Sequence, residues 1–214
     1  EMCIRDRPYI PGADGYYHIK VAWLIRTRGI LDSFPWAEAS LWREHYFDKD
    51  LGFHLLLIPF TFGDLIRGAK LAAVVYGSVF FTSFYASLRL TAVPRAWFWT
   101  VLLAAAGGYF GFRLSLPRAH LLSMTLSLWA VFFILRSSWK GTAVIAVLYS
   151  LCYTAPHVVV IYALIGAASG FLIHERGHSR VVLAAILGVM GGWLIHPHFP
   201  NNFITVSYTH LRAH

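Results

Sequence analysis

The chain's chemistry-bearing side chains fall in a few short runs. Asp14 lies in Gly-Ala-Asp14-Gly-Tyr-Tyr17-His18, where glycines let the backbone turn around a carboxylate. A helix is expected from about Tyr16 to Arg28, which puts Asp14 near its N-terminus. Two roles stand open for it: a helix cap, or a carboxylate that takes or orients a proton. Asp48-Lys49-Asp50 places two carboxylates two residues apart. This spacing suits either a solvated turn or oxygen ligands for a divalent cation such as Mg or Mn. Arg113-Leu-Ser-Leu-Pro-Arg118-Ala-His120 offers two guanidinium groups and an imidazole. These suit a phosphate or an anchor among lipid headgroups. His157, His196 and His198 are each readable as a packed histidine or a ligand. Arg67 and Lys70 read as headgroup contacts or as holders of an anionic lipid.

The elements that must position these groups follow from composition. Of 214 residues, 57% are hydrophobic and only 13% charged, about half the charged share of a soluble domain. The mean hydropathy is +0.58. These values exclude disorder and a typical soluble globular domain. They point to an all-α, polytopic bundle of membrane helices. The net charge is +8, but the bases sit in short gaps between apolar runs. That pattern sets orientation in a bilayer and gives no nucleic-acid partner. Cys3 and Cys152 form no CxxC motif or disulfide framework.

A membrane span needs about 20 apolar residues. Runs at 71–88, 97–112, 119–135 and 181–195 qualify as spans, some short. The run 142–173 is expected to divide at Pro156 into two helices, making about six in all. Residues 51–62 are apolar but short, and read as an interfacial or re-entrant helix. The gaps alternate between two sides. One side holds 89–95, 136–140 and 174–180, with six Lys/Arg; the short gaps opposite carry only Arg113 and Arg118. By the positive-inside rule the first side is cytoplasmic. Residues 8–67, the 113–118 gap, the turn at Pro156 and the segment from His196 then face the exterior. Seven of the 10 acids lie from Asp14 to Asp64, on that exterior side.

The organisation expected is an exterior loop at 8–67 with short helices, and a helix bundle at 68–205. Residues 1–7 (EMCIRDR) and 206–214 resemble translated sequencing-adaptor DNA; they are expected to be such scars, with the chain then a fragment, the alternative being genuine termini.

With these residues in view, the chain resembles the GT-C superfamily of membrane glycosyltransferases. The likeness is to the catalytic subunit of oligosaccharyltransferase and its uncharacterised bacterial relatives. It is carried by Asp14-Gly-Tyr-Tyr-His18 with the helix after it, by Gly29-Ile-Leu-Asp-Ser-Phe-Pro-Trp36, and by Phe47-Asp-Lys-Asp-Leu-Gly-Phe-His54. Beyond about residue 62 it rests on hydropathy and topology. The resemblance implies a lipid-linked sugar donor, inverting transfer, and an active site facing the exterior or periplasm, in the bacterial inner membrane. It implies Asp14 as the catalytic carboxylate. Tyr17, His18, Arg113, Arg118, His120 and His157 are the expected substrate-binding residues, and Asp48 and Asp50 the candidate metal ligands. Membrane lipids are expected partners; the acceptor is unassigned. The other classes that fit the sequence are a membrane transporter and a noncatalytic membrane scaffold.

Overall fold

A computed structural model of the chain describes residues 9–44, 46–172 and 178–202. Cys3, Glu175 and both adaptor-like ends lie outside the described residues. Among those described, the structure is all helical: α1 (Asp14–Arg28), α2 (Leu51–Leu57), α3 (Leu65–Leu90), α4 (Ala96–Ala104), α5 (Gly108–Leu114), α6 (His120–Leu135), α7 (Trp139–Cys152), α8 (His157–Leu172) and α9 (His178–Ile195). Short 3-10 turns stand at Leu41–Arg43 and at Ile58–Thr61, which extends α2.

Two apolar cores share α6. One joins α6 to α7, α8 and α9 through Ala130, Ile145, Ala146, Val159, Val181 and Ala185. The other joins its first turn, at Leu121, to Ala22 of α1, Phe53 and Leu57 of α2, and Ala72 and Tyr76 of α3. The first segment of the chain is therefore folded onto the bundle. Within the first core, α9 lies directly on the α7 backbone. A Cβ on Gly192 would fall 1.8 Å from Ser150 Oγ, and one on Gly188 would fall 2.7 Å from the Ala143 carbonyl.

Two helices, α3 and α9, are long and apolar enough to cross a membrane, and only 28% and 33% of their apolar windows are buried. The outward faces carry large exposed apolar side chains: Leu71 and Val74 on α3, Trp97 and Val101 on α4, Leu164 and Ile165 on α8, Leu187 and Leu194 on α9. A surface of that kind is an interaction surface, not one shaped for water.

Two expectations change. The run at 97–112 is not one helix: α4 stops at Ala104 and α5 begins at Gly108. Gly107 stands between them at φ +114°, a left-handed conformation that helix geometry cannot include. The helix of the run 71–88 starts earlier, at Leu65, because Asp64 caps α3 by accepting the Arg67 N–H at 2.8 Å.

Candidate active site

The loops after α5, α7 and α9 meet the first segment of the chain at one end of the bundle. α1 is seated there by Gly15, where a Cβ would fall 2.5 Å from Ile10 Cγ2 and 2.8 Å from Pro117 Cγ. Gly15 is thus a packing residue inside the helix. Gly12, at φ +77°, is the one that turns the chain.

Asp14 does not cap α1. Ala13 holds the N-cap position with no side-chain bond, and Asp14 is the first helical residue. A carboxylate in the first turn suits the helix dipole. Its Oδ2 reaches Arg118 Nη2 at 3.0 Å, in an ion pair whose side chains are 56% and 30% exposed respectively. Arg118 Nε is buried and has no hydrogen-bond partner. The Nε–H thus lacks an acceptor, on the same guanidinium edge as the Nη2 that pairs with Asp14.

Behind this pair lies a buried polar chain. Asp48 Oδ2 meets His54 Nδ1 at 2.7 Å, and His54 Nε2 meets His18 Nδ1 at 2.8 Å. All three residues are buried. Asp48 Oδ1 also accepts the Asp50 N–H at 3.1 Å. Burial pushes the His18 imidazole down to about 3, with His54 and then Lys49 opposing a charge there, and Arg118 and His120 adding to that. Tyr17 donates to or accepts from Tyr46 at 3.0 Å, and burial raises both phenols. Tyr17 and His18 thus face inward, toward protein partners. Exposed aromatic rings at this end include Tyr9, Tyr16, Trp36 and Phe199.

Of the two roles open to the Asp48–Asp50 turn in the sequence, burial removes the solvated one. Asp48 is 1% and Asp50 2% exposed. Asp50 Oδ2 holds Lys49 Nζ at 2.9 Å, and its Oδ1 accepts from Thr154 Oγ1 at 3.4 Å. His196 Nε2 donates to the Asp48 carbonyl at 3.0 Å, and His198 Nδ1 accepts the Asp48 N–H at 3.4 Å. His198 Nε2 donates to the Leu31 carbonyl at 2.8 Å. Every carboxylate oxygen of the turn therefore has a protein donor, one of them an ammonium. That donor set does not fit a divalent cation, and no three His, Cys, Asp or Glu side chains among the described residues form a metal-binding group.

Three expected residues stay apart from the cluster. Arg113 is exposed and lies over the Tyr109 ring at 5.8 Å. His120 Nε2 donates to the Arg113 carbonyl at 2.9 Å and so braces the loop. His157 opens α8 and is exposed, and among the described residues no hydrogen bond joins it to the cluster. His54, Tyr46 and Thr154 are the members that sequence reasoning missed. The available signal was His54 itself, a lone imidazole in an apolar helix, which must find a partner once buried.

Comparisons with protein-family models, with curated proteins and with solved structures return no match.

Proposed function

We propose that the chain is an integral membrane glycosyltransferase, transferring a sugar or glycan from a polyprenyl-phosphate-linked donor to an acceptor on the exterior face. The observation that carries this reading is the Asp14–Arg118 pair. It joins a carboxylate and a guanidinium from distant parts of the chain, at the polar end of a bundle whose flanks are apolar. An amphipathic donor fits such a place, with its prenyl tail along the exposed apolar flanks and its phosphate at Arg118. Nε and Nη2 form one guanidinium edge, the two-pronged geometry that phosphate oxygens favour, once the side chain shifts to uncover the buried Nε.

Phosphate at Arg118 competes with Asp14 for the guanidinium and frees the carboxylate. The acceptor X–H then attacks the anomeric carbon. The X–C bond forms as the C–O bond to phosphate breaks, in one inverting displacement. Asp14 takes the acceptor's proton and in doing so orients the nucleophile. The departing phosphate keeps the electron pair, and Arg118 stabilises the charge. Arg113, exposed beside Tyr109, is left to lipid headgroups in this scheme.

The test is sugar transfer from a polyprenyl-phosphate donor by the full-length protein. Asp14→Asn is expected to lower turnover by roughly 10²–10⁴ while the melting temperature barely moves. Undiminished turnover would leave Asp14 a structural ion-pair partner. Orientation has its own check, in a Cys3→Ser background. A cysteine at the exposed Glu38 should react with an impermeant reagent outside the cell, and one at the exposed Lys140 should not. The broken α4–α5 pair also suits a transporter. Donor-independent flux in proteoliposomes, without transfer, would favour that class.

A further inference from the structure

The Asp48–His54–His18 chain has a direction, and the direction follows from hydrogen-bond chemistry. An ionised carboxylate can only accept, so His54 Nδ1 carries the proton at the 2.7 Å contact. A neutral His54 then has a bare Nε2. With His54 in that neutral form, the 2.8 Å contact makes His18 Nδ1 the donor, whereas a doubly protonated His54 would donate from Nε2 and leave the His18 proton on Nε2. A neutral His18 protonated on Nδ1 has a lone pair on Nε2. The two ring nitrogens point away from each other, and among the described residues no hydrogen bond engages His18 Nε2. His18 stands one helical turn after Asp14 on α1.

We propose that Asp48 and His54 are positioning residues that lock His18 in its Nδ1–H tautomer, so that Nε2 presents a lone pair to the acceptor and selects a nucleophile that donates a hydrogen bond, a hydroxyl or an amide N–H. The use by an acceptor rests on the glycosyltransferase reading; the tautomer does not. Burial supports it by keeping His18 neutral. The lock differs from solution behaviour, where neutral histidine favours the proton on Nε2. It is the logic by which a buried carboxylate sets the tautomer of a catalytic histidine, extended by one ring.

Asp48→Asn tests the polarity. The Asp50 N–H bonds to Oδ1 and cannot change its role. It fixes the amide with its carbonyl toward Asp50 and its NH₂ toward His54. His54 Nδ1 must then accept, His54 Nε2 must donate, and His18 must move its proton to Nε2. Every hydrogen bond survives while Nε2 of His18 changes from acceptor to donor.

The measurement is ¹⁵N NMR of the full chain in lipid nanodiscs with labelled histidine. The His18 signals are assigned by their loss in His18→Gln. In the wild-type protein His18 is expected to show a protonated Nδ1 and a bare Nε2, reversed in Asp48→Asn. Should that variant fail to fold, His54→Phe serves instead. It removes the acceptor for Nδ1–H, and His18 is expected to revert to the Nε2–H form. A wild-type His18 protonated on Nε2, or a tautomer unmoved by both variants, overturns the proposal. In the transfer assay Asp48→Asn should lower kcat and leave the donor KM unchanged. Unchanged kcat with a reversed tautomer overturns the selection of the acceptor. Absence of transfer by the wild-type protein overturns the glycosyltransferase reading and, with it, the acceptor clause, while the spectrum still decides the lock.

Discussion

At the end of the bundle where Arg118, Thr154 and His196 emerge, the carboxylates of Asp48 and Asp50 are almost wholly buried and every oxygen is engaged. At the opposite end Arg89, Arg95, Arg136 and Lys140 stand exposed. Arg136 donates to the Leu90 carbonyl and lies over the Phe132 ring, and Lys140 lies over Trp139. A buried charge must have fixed partners, because an orphaned one is expensive. An exposed charge is solvated wherever it points. One end can therefore define a geometry to fractions of an ångström. The other can carry a net positive charge without a defined shape.

The strongest way to break this contrast is Asp48→Ala. It leaves the His54 Nδ1–H and the Asp50 N–H as buried donors without acceptors. Unfolding in detergent should show a loss of about 3 kcal/mol. A loss below about 1 kcal/mol would mean that water reaches the turn.

Acid is the next lever. The folded-state pKa of His18 is depressed to about 3 from an ordinary 6.5. Its neutral form is matched to the fold above pH 6.5. As pH falls from there toward 3, the unfolded chain takes up a proton that the folded one refuses. Stability must therefore fall with falling pH across that window. Between pH 7.5 and 5 the loss from this group is on the order of 2 kcal/mol, read as a lowered denaturant midpoint. His18→Phe should flatten that slope, and an unaltered slope would place the titration elsewhere.

The opposite end should respond weakly. Arg136→Ala is expected to change stability by less than about 1 kcal/mol. An effect matching that of Asp48→Ala would erase the distinction between the two ends. Smallest of all is Asp14→Asn, at about 0.5 kcal/mol or less, since Asp14 is itself exposed and its partner only half-buried. A larger loss would reassign Asp14 from chemistry to architecture.

The sequence made some of this readable and hid the rest for physical reasons. The apolar runs of α3, α6 and α9, and the division of α7 from α8 at Pro156, follow from hydropathy and from proline's missing N–H. The alternation of gaps foresaw which loops meet at the end bearing Asp14, because helices joined by short turns must alternate. The α4–α5 break was hidden inside an unbroken apolar run, where Gly107-Gly108 is equally at home in a helix–helix contact. Asp48-Lys49-Asp50 reads as a solvated turn because its composition is that of a surface. Its burial depends on His54, His196 and His198, and the last two arrive from about 150 residues away. No local pattern encodes such a meeting. Arg113 and Arg118 look equivalent by type, but only Arg118 faces Asp14, and a pair so close in sequence cannot announce which member turns inward.

The glycines of α9 bear on the site in a way that their position deep in the bundle conceals. With nothing but hydrogen at Gly188 and Gly192, α9 sits close on α7, against Ser150, Ala146 and the carbonyls of Ala143 and Val147. His196 follows one turn beyond Gly192, and Thr154 lies just past the end of α7. The two helices are thus the jaws of a vice, closed at fixed height on the Asp48–Asp50 turn. A slip of α9 by a single residue, about 1.5 Å along its axis, would pull His196 Nε2 off the Asp48 carbonyl it now touches at 3.0 Å. A bulky residue at position 192 would therefore be felt at the carboxylates, transmitted by a rigid rod with no contact of its own to them.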